Sequence, residues 1–146
     1  MSEERRTHWD ATLDVLVVDD VRECTEVLVA MLEVWAPRTC ARTVSIEVAY
    51  DGDDAWETIQ VRRPRVVVLD QSMPGLSGSD VLALVRGDTR LDAVRCVMCT
   101  AFATDAYLQL VMSLGADACF FKPFDGKVLV RRICELITLS EAKGTM

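Results

Sequence analysis

The fold of this chain is decided by Val66–Gly75 (VVVLDQSMPG), in which an apolar run ends abruptly in an acid. A short apolar, β-branched run that is bounded by proline and glycine is typical of a buried strand. Asp70 then stands at the carboxyl end of that strand, where open α/β sheets place their ligand sites. A single acid at such a position is more often only the start of a turn. Its function therefore depends on what other strands bring to the same edge.

Polar side chains with complementary chemistry follow three other apolar runs. These are Asp19 and Asp20 after Val15–Val18, Thr100 after Val94–Cys99, and Lys122 after Ala118–Phe121. A fifth strand is predicted at 44–48, where apolar and polar residues alternate as they do in a strand that is exposed on one face. Four of the five predicted strands thus end in residues that can bind a metal ion or an anion.

Helical segments separate these five strands along the chain. Five strands that alternate with five helices predict a parallel sheet, because each crossover returns the chain in the same direction. The nearly continuous apolar character of the strands indicates that helices cover both faces of the sheet. We therefore predict a single α/β domain in which the polar ends of strands one, three, four and five meet at one edge.

Several residues predict where the helices begin and end. We expect the first helix to stop at Pro37, because proline lacks the N–H that would continue the backbone ladder. Ser77 and Asp80 have the spacing of a capping box, and Gly115 suits a left-handed helix end. Asp125 is placed to cap the last helix.

Length and charge limit the classes of protein to which the chain can belong. Its 146 residues predict one domain at 14–139, between a polar N-terminal tail at 1–13 and a frayed C-terminal tail at 140–146. A net charge of −7 argues against direct nucleic-acid binding, which needs a basic surface. No apolar run is long enough for a signal peptide or a membrane span, so we expect a soluble, cytoplasmic protein.

The six cysteines do not suggest a metal or redox site. Cys96 and Cys99 form a C-x-x-C pair, but residues three apart on a strand point to opposite faces and cannot bind one ion. We expect all six to be reduced, mostly buried small apolar side chains. The single histidine, His8, lies in the polar tail, so neither a histidine-based triad nor a histidine phosphodonor can be built in the predicted domain.

The residues that meet at the sheet edge are suited to phosphoryl transfer. Asp19, Asp20 and Asp70 would repel one another unless a cation neutralised them, and Mg²⁺ is the hard cation that prefers carboxylate oxygens and accepts phosphate oxygens as well. Lys122 and Thr100 add a positive charge and a hydrogen-bond donor for the oxygens of a phosphoryl group. Asp70, at the centre of the group, is the natural nucleophile and would form an aspartyl phosphate.

With these residues the chain resembles the receiver domains of two-component response regulators, the CheY-like group. The matching stretches occur in the order and spacing of that family, from about residue 14 to residue 139. They are Val17-Val18-Asp19-Asp20, Leu69-Asp70 with Met73-Pro74-Gly75 and Gly78, Thr100-Ala101, Gly115-Ala116-Asp117, and Lys122-Pro123-Phe124. The resemblance implies a flavodoxin-like, doubly wound (βα)5 sheet with strand order 2-1-3-4-5.

The resemblance also implies a role for each matching residue. Asp70 would accept the phosphoryl group, Asp20 would bind Mg²⁺ directly and Asp19 through water, and the backbone carbonyl of Ser72 would be a further metal ligand. Thr100 and Lys122 would bind the phosphoryl oxygens. Such a domain catalyses only its own phosphorylation and dephosphorylation.

The implied partners are a separate protein that donates the phosphoryl group and a target that receives the signal. The donor would be a histidine kinase or a histidine phosphotransfer protein. The signal would pass through the surface formed by helix 4, strand 5 and helix 5, to an effector protein, to an output domain in a longer chain, or to a second copy in a homodimer.

The chain departs from the family pattern at the position three residues before the lysine, where an aromatic side chain often moves together with the threonine. Cys119 stands there. We expect activation still to move the loop that follows strand 4, with a weaker response at strand 5. The segment 38–43 also makes the connection between helix 1 and strand 2 longer than is usual in the family.

Two other functions remain compatible with parts of the pattern. One is a receiver-like protein-interaction module that works without phosphorylation, which Cys119 favours but the complete set of acids and Lys122 does not. The other is a phosphatase of the haloacid dehalogenase type, which also uses an acid at the end of a parallel strand. That chemistry requires a second acid two residues later, where this chain has Ser72.

Overall fold

Five parallel strands form one sheet in the order β2-β1-β3-β4-β5, which confirms the predicted topology. The computed structural model describes residues 12–144, so His8 and most of the predicted N-terminal tail lie outside it. The strands are β1 Val15–Val18, β2 Ile46–Ala49, β3 Val66–Leu69, β4 Arg95–Thr100 and β5 Ala118–Phe121. The helices are α1 Arg22–Thr39, α2 Gly52–Arg62, α3 Gly78–Arg86, α4 Asp105–Leu114 and α5 Gly126–Gly144, with a 3₁₀ turn at Thr89–Leu91.

Side chains of the buried strands divide the core into two layers, one on each face of the sheet. Leu16, Val67 and Met98 pack with residues of α2, α3 and α4 on one face. Val15 and Val97 pack with residues of α1 and α5 on the other. This arrangement explains why the central strands are apolar at every position, because a parallel sheet covered on both faces has no side exposed to water. Among the described residues, no helix is long and apolar enough to cross a membrane.

The predicted helix caps are confirmed. The Ser77 hydroxyl accepts a hydrogen bond from the Asp80 N–H, and the Asp80 carboxylate accepts one from the Ser77 N–H, which completes the capping box at α3. Gly115 ends α4 with a φ of +106°, a conformation that glycine adopts without steric cost. Asp125 accepts hydrogen bonds from the N–H groups of Lys127 and Val128 at the start of α5.

The prediction that the first helix stops at Pro37 is wrong, because α1 continues through it to Thr39. Pro37 lies in the last turn, where its missing N–H removes a single backbone bond rather than breaking the ladder in its middle. The helix is held there by Ala36, which is fully buried, and by the Cys40 N–H, which donates to the Ala36 carbonyl. Strand β2 correspondingly begins at Ile46, two residues later than predicted.

Both ends of the described chain are better packed than their polar composition predicted. Leu13, assigned to the N-terminal tail, is only 1% exposed and belongs to the core. Helix α5 continues to Gly144, and Ser140 within it is buried rather than frayed. Glu141 then pairs with Arg42, which also binds the buried carboxylate of Asp14 through two hydrogen bonds of 3.1 Å. These ion pairs connect the start of the domain to its last helix.

The cysteines fulfil one prediction and contradict another. Cys96 and Cys99 belong to opposite core layers, as expected for residues three apart on a strand. Cys40 and Cys134, however, form a disulfide, so the expectation of six reduced cysteines is wrong. The pairing was hidden because the two residues are separated by 94 positions and meet only when α1 and α5 pack side by side. The disulfide links the end of α1 to the middle of α5.

Because four of the six cysteines are free, the unfolded protein should contain four reactive thiols before reduction and six afterwards. Cys134→Ser should lower the free energy of unfolding by roughly 4 kcal/mol, the contribution expected when a disulfide closes a loop of about a hundred residues. Thiol titration in denaturant and urea unfolding without reductant measure the two quantities. Cys24→Ser, at a half-exposed free cysteine, is the control and should change little. Six thiols before reduction would contradict the disulfide.

Candidate functional site

Three carboxylates meet at the carboxyl edge of the sheet, as the strand ends predicted. The parallel register of β1 and β3 pairs Val18 with Leu69, so that the next residues, Asp19 and Asp70, lie side by side. Each of Asp19, Asp20 and Asp70 offers one carboxylate oxygen, and these atoms lie within 4.8 Å of one another. Asp19 and Asp70 are buried and Asp20 is exposed. The group thus combines two shielded carboxylates with one that faces solvent.

Lys122 extends from the end of β5 into this acidic group. Its Nζ donates a hydrogen bond of 2.7 Å to Oδ2 of Asp19 and lies 3.8 Å from Oδ2 of Asp70. Its backbone N–H donates to the carbonyl of Thr100, which holds the end of β5 against β4. Burial acts to lower the pKa of Lys122, but the bond to Asp19 and the charge of Asp70 outweigh it, so the pKa is raised. The ammonium therefore stays charged between the two acids.

Asp70 is held in one orientation by its neighbours. Its Oδ1 accepts a hydrogen bond of 2.7 Å from the N–H of Gln71, which leaves Oδ2 on the side of Lys122. Burial raises the pKa of Asp70 and the charge of Asp19 adds to the increase, whereas Lys122 and a hydrogen bond from Thr100 oppose it. The net pKa is above the ordinary value for aspartate, as expected for an acid that lies in a cleft beside another acid.

Gly78 allows α3 to begin directly behind Asp70. A Cβ atom at this position would lie 2.2 Å from the Asp70 carbonyl oxygen, far inside van der Waals contact. The Gly78 N–H instead donates to the carbonyl of Gln71, which closes the loop between β3 and α3. The glycine is therefore required by this close approach of two backbone segments.

Thr100 ends β4 beside Asp70, as predicted, and its side chain is almost completely buried. Its hydroxyl acts to lower the pKa of Asp70 and accepts a hydrogen bond of 3.2 Å from the N–H of Phe102. The same hydroxyl thus acts on the central acid and on the loop that leads into α4.

Tyr107 and the side chain of Gln71, which were not predicted from the sequence, connect the site to α4. Tyr107 is 4% exposed, and its hydroxyl donates a hydrogen bond of 2.9 Å to Oε1 of Gln71. The Gln71 side chain also binds Ser79 at the start of α3, through its N–H and its hydroxyl. Phe102 packs edge-on against the Tyr107 ring, with 5.4 Å between the ring centroids. Burial raises the pKa of the Tyr107 phenol, so its hydroxyl remains a donor at neutral pH.

Cys119 and Ser72 are the two predicted positions at which the structure adds the least to the site. Cys119 is half-buried and packs against the core layer that contains Tyr107, an aromatic residue of α4. Ser72 is exposed in the loop after β3. Its backbone carbonyl as a metal ligand stays a prediction.

An apolar cavity of about 260 Å³ borders the acids on the α1 side of the sheet. Its walls include Cys24, Val27 and Leu28 of α1 and Phe124 after β5. Asp19, Asp70 and Lys122 also line this cavity, so its apolar walls are part of the surroundings of the two buried acids.

The chain belongs to the response regulator receiver domain family, whose model matches residues 15–134. This membership favours neither the haloacid dehalogenase phosphatase nor the module that works without phosphate. Receiver domains are signalling domains of two-component systems rather than members of an enzyme family.

Among curated proteins, the chain is 34% identical over 119 residues to the DNA-binding response regulator MtrA of Mycobacterium tuberculosis strain H37Rv. The match covers 82% of this chain and 48% of MtrA, so the chain spans about half the length of that relative.

Solved receiver domains have the same fold. A signal receiver domain of a DNA binding response regulator from Colwellia psychrerythraea is 26% identical, with a TM-score of 0.77 over 86% of this chain and 98% of that one. The signal receiver domain of the response regulator NarL from Mycobacterium tuberculosis is also 26% identical, with a TM-score of 0.74 over 87% of this chain and 97% of that one.

Because Asp70 is buried beside Asp19, the metal-free protein should be more stable without its charge. We expect Asp70→Asn to raise the free energy of unfolding by about 1 kcal/mol, since the neutral amide keeps an acceptor for the Gln71 N–H and removes a like-charge contact. Urea unfolding in the presence of EDTA measures this change. Asp20→Asn is the matched control and should have a smaller effect, because Asp20 faces solvent. A lower stability for Asp70→Asn than for the unmodified protein would contradict the expectation.

Proposed function

We propose that Asp70 accepts a phosphoryl group from the phosphohistidine of a histidine kinase or a histidine phosphotransfer protein. The observation that carries this proposal is the meeting of three carboxylate oxygens within 4.8 Å, with the Lys122 ammonium beside them. Thr100, Lys122 and Asp70 come from three different strands, yet all reach one edge of the sheet. This combination supplies a nucleophile, a cation and a hydroxyl donor for in-line phosphoryl transfer.

The acidic group fits a Mg²⁺ ion. Its donors are all carboxylate oxygens, and one of them faces solvent, which suits a cation that retains several water ligands. Asp20 and Asp70 would hold the ion directly, Asp19 through water, and the Ser72 carbonyl would be a further ligand. When bound, Mg²⁺ supplies positive charge that neutralises the carboxylates and the oxygens of the incoming phosphoryl group.

In the proposed transfer, Oδ2 of Asp70 attacks the phosphorus atom of the phosphohistidine. A phosphorus–oxygen bond forms while the phosphorus–nitrogen bond breaks, and the imidazole leaves with its bonding electron pair and takes a proton from solvent. Lys122 and Thr100 bind the phosphoryl oxygens, while the Gln71 N–H holds the Asp70 carboxylate in the orientation for attack. The aspartyl phosphate later loses its phosphoryl group to water.

The proposed partners follow from the family and from the chain's charge. We propose that the protein acts in the cytoplasm, where histidine kinases expose their phosphohistidines. The acidic chain itself would not contact nucleic acid. An output domain, a separate effector or a second copy of the chain would receive the signal at the surface formed by α4, β5 and α5. DNA binding is a property named for MtrA, and for this protein it would require a further domain.

The signal would leave the site through the residues that connect Asp70 to α4. Asp70 accepts a hydrogen bond from the Gln71 N–H, and the Gln71 side chain accepts one from the Tyr107 hydroxyl. The Phe102 ring packs on Tyr107, and the Phe102 N–H donates to the hydroxyl of Thr100, which acts on the pKa of Asp70. If Thr100 turns its hydroxyl to a phosphoryl oxygen, its bond from Phe102 changes, and with it the packing on Tyr107. We propose that the Tyr107–Gln71 bond holds α4 in the unphosphorylated arrangement and that phosphorylation releases it.

Incubation with Mg²⁺ and a small acyl phosphate should add one phosphoryl group to the protein, detectable as a single adduct by intact-mass spectrometry. The adduct should be absent from Asp70→Asn and from samples with EDTA, because the nucleophile or the neutralising cation is then missing. Asp53→Asn, at an exposed acid outside the site, is the control and should still be phosphorylated. A folded protein that binds Mg²⁺ but gains no adduct would overturn the proposed phosphoacceptor role.

Tyr107→Phe should separate phosphorylation from its effect on α4. The substitution removes only the hydroxyl that bonds Gln71, so phosphoryl uptake should stay within about twofold, because no atom at the acid cluster is lost. The amide signals of α4 should already lie closer to their phosphorylated positions in the unphosphorylated variant, since the tether is gone. Two-dimensional NMR before and after phosphorylation measures both states.

Tyr50→Phe makes the same chemical change at the other tyrosine, whose hydroxyl accepts a bond from Arg22, and serves as the control. It should leave the α4 signals of the unphosphorylated protein unchanged. If Tyr107→Phe and Tyr50→Phe give the same α4 spectra and the same response to phosphorylation, the Tyr107–Gln71 bond has no part in the switch.

A further inference from the structure

A concave basic surface lies between α1 and α5, away from the acidic site. It is a groove of about 210 Å³, here called the basic groove, lined by Trp35, Arg38 and Thr39 of α1 and by Lys127 and Arg131 of α5. The Lys127 ammonium lies 5.7 Å from the centre of the Trp35 ring. The groove thus combines three cationic groups, a hydroxyl and an indole in a protein whose net charge is −7.

No carboxylate of the described residues pairs with the cations of the basic groove. Within the described part of the chain, Arg38, Lys127 and Arg131 form no ion pair with a carboxylate, whereas arginines elsewhere, such as Arg86 and Arg95, pair with acids. Lys127 and Arg131 also stand four residues apart on one face of α5, a spacing at which like charges repel. All three cationic side chains are exposed, so water and salt screen this repulsion, and an anion bound between them would remove the remainder.

Packing fixes the two helices that form the walls of the groove. A Cβ atom at Gly126 would lie 2.7 Å from the Met31 sulfur and 2.9 Å from the Trp35 ring, so α5 starts in direct contact with α1. The Cys40–Cys134 disulfide joins the same helices further along. A ligand would thus meet two helices whose backbones are already in place, so that only the exposed side chains of the groove have to be ordered on binding.

We propose that the basic groove binds a small molecule that carries two or more adjacent phosphate groups. Guanidinium groups match phosphate oxygens with paired N–H donors, while Lys127 adds a point charge and Thr39 a hydroxyl. The groove is smaller than the roughly 300 Å³ at which pockets begin to enclose a whole drug-sized molecule. The phosphates therefore occupy it, and the remainder of the ligand lies outside, beside Trp35. Inorganic polyphosphate and a nucleoside polyphosphate share this chemistry.

Titration with inorganic triphosphate and, separately, with ATP tests the site in the full chain, with EDTA present so that the acidic cluster does not take up a metal–phosphate complex. The Trp35 indole N–H signal, assigned with Trp35→Phe, should move and saturate. Arg131→Ala and Arg38→Ala should each weaken binding by about tenfold or more, as expected when a charge-assisted hydrogen bond is lost. Tighter binding of ATP would identify a nucleoside polyphosphate as the ligand, and equal binding would identify the phosphate chain alone as the recognised group.

Arg90→Ala is the charge-matched control, because Arg90 is 67% exposed and pairs with Asp88 outside the groove. It should leave the affinity within about twofold, since only long-range charge is lost. A well-dispersed spectrum of each variant establishes that it is folded. The proposal is overturned if Trp35 does not respond to either ligand, if its shift stays linear without saturation, or if Arg90→Ala weakens binding as much as Arg131→Ala. Because the test needs neither Mg²⁺ nor Asp70, its outcome is independent of the proposed phosphorylation.

Discussion

The parallel register between β1 and β3 is the constraint on which the rest of this structure depends. It pairs Val18 with Leu69, so that Asp19 and Asp70 leave the sheet side by side. The apolar residues before them are buried on both faces, and the backbone has no freedom to separate the two acids. Every other component of the site, including Lys122 from β5 and Thr100 from β4, is placed relative to that pair.

The proximity of Asp19 and Asp70 lowers the stability of the folded protein, although the proposed function requires it. Two buried carboxylates beside each other raise the free energy of the folded protein, and Lys122 relieves only part of their repulsion. The core compensates through two apolar layers and an ion-pair cluster around the buried carboxylate of Asp14 at the opposite end of the sheet. Stability is therefore concentrated away from the edge where the proposed chemistry occurs.

The features that could be predicted from the sequence are those that neighbouring residues determine. The strand that precedes Asp70 and the strand that ends in Thr100 follow from local apolar runs, and the Ser77–Asp80 capping box follows from a spacing of three. Parallel topology then brings the strand ends together without any knowledge of side-chain contacts. The family resemblance added the strand order and the individual roles.

The features that could not be predicted depend on contacts between distant residues. The Tyr107 hydroxyl meets Gln71 across 36 positions, and nothing around Tyr107 distinguishes it from an ordinary buried residue of α4. The helix α1 continues through Pro37 because the neighbouring Ala36 is buried in the core, and this burial depends on tertiary packing. Cys40 and Cys134 are close only because α1 and α5 pack together.

The disulfide also makes the two helical borders of the proposed output surface differ in how firmly they are held. The α5 border is covalently linked to α1, whereas the described residues contain no such link to α4. On phosphorylation the surface would therefore change shape at its α4 border, while its α5 border stays in place.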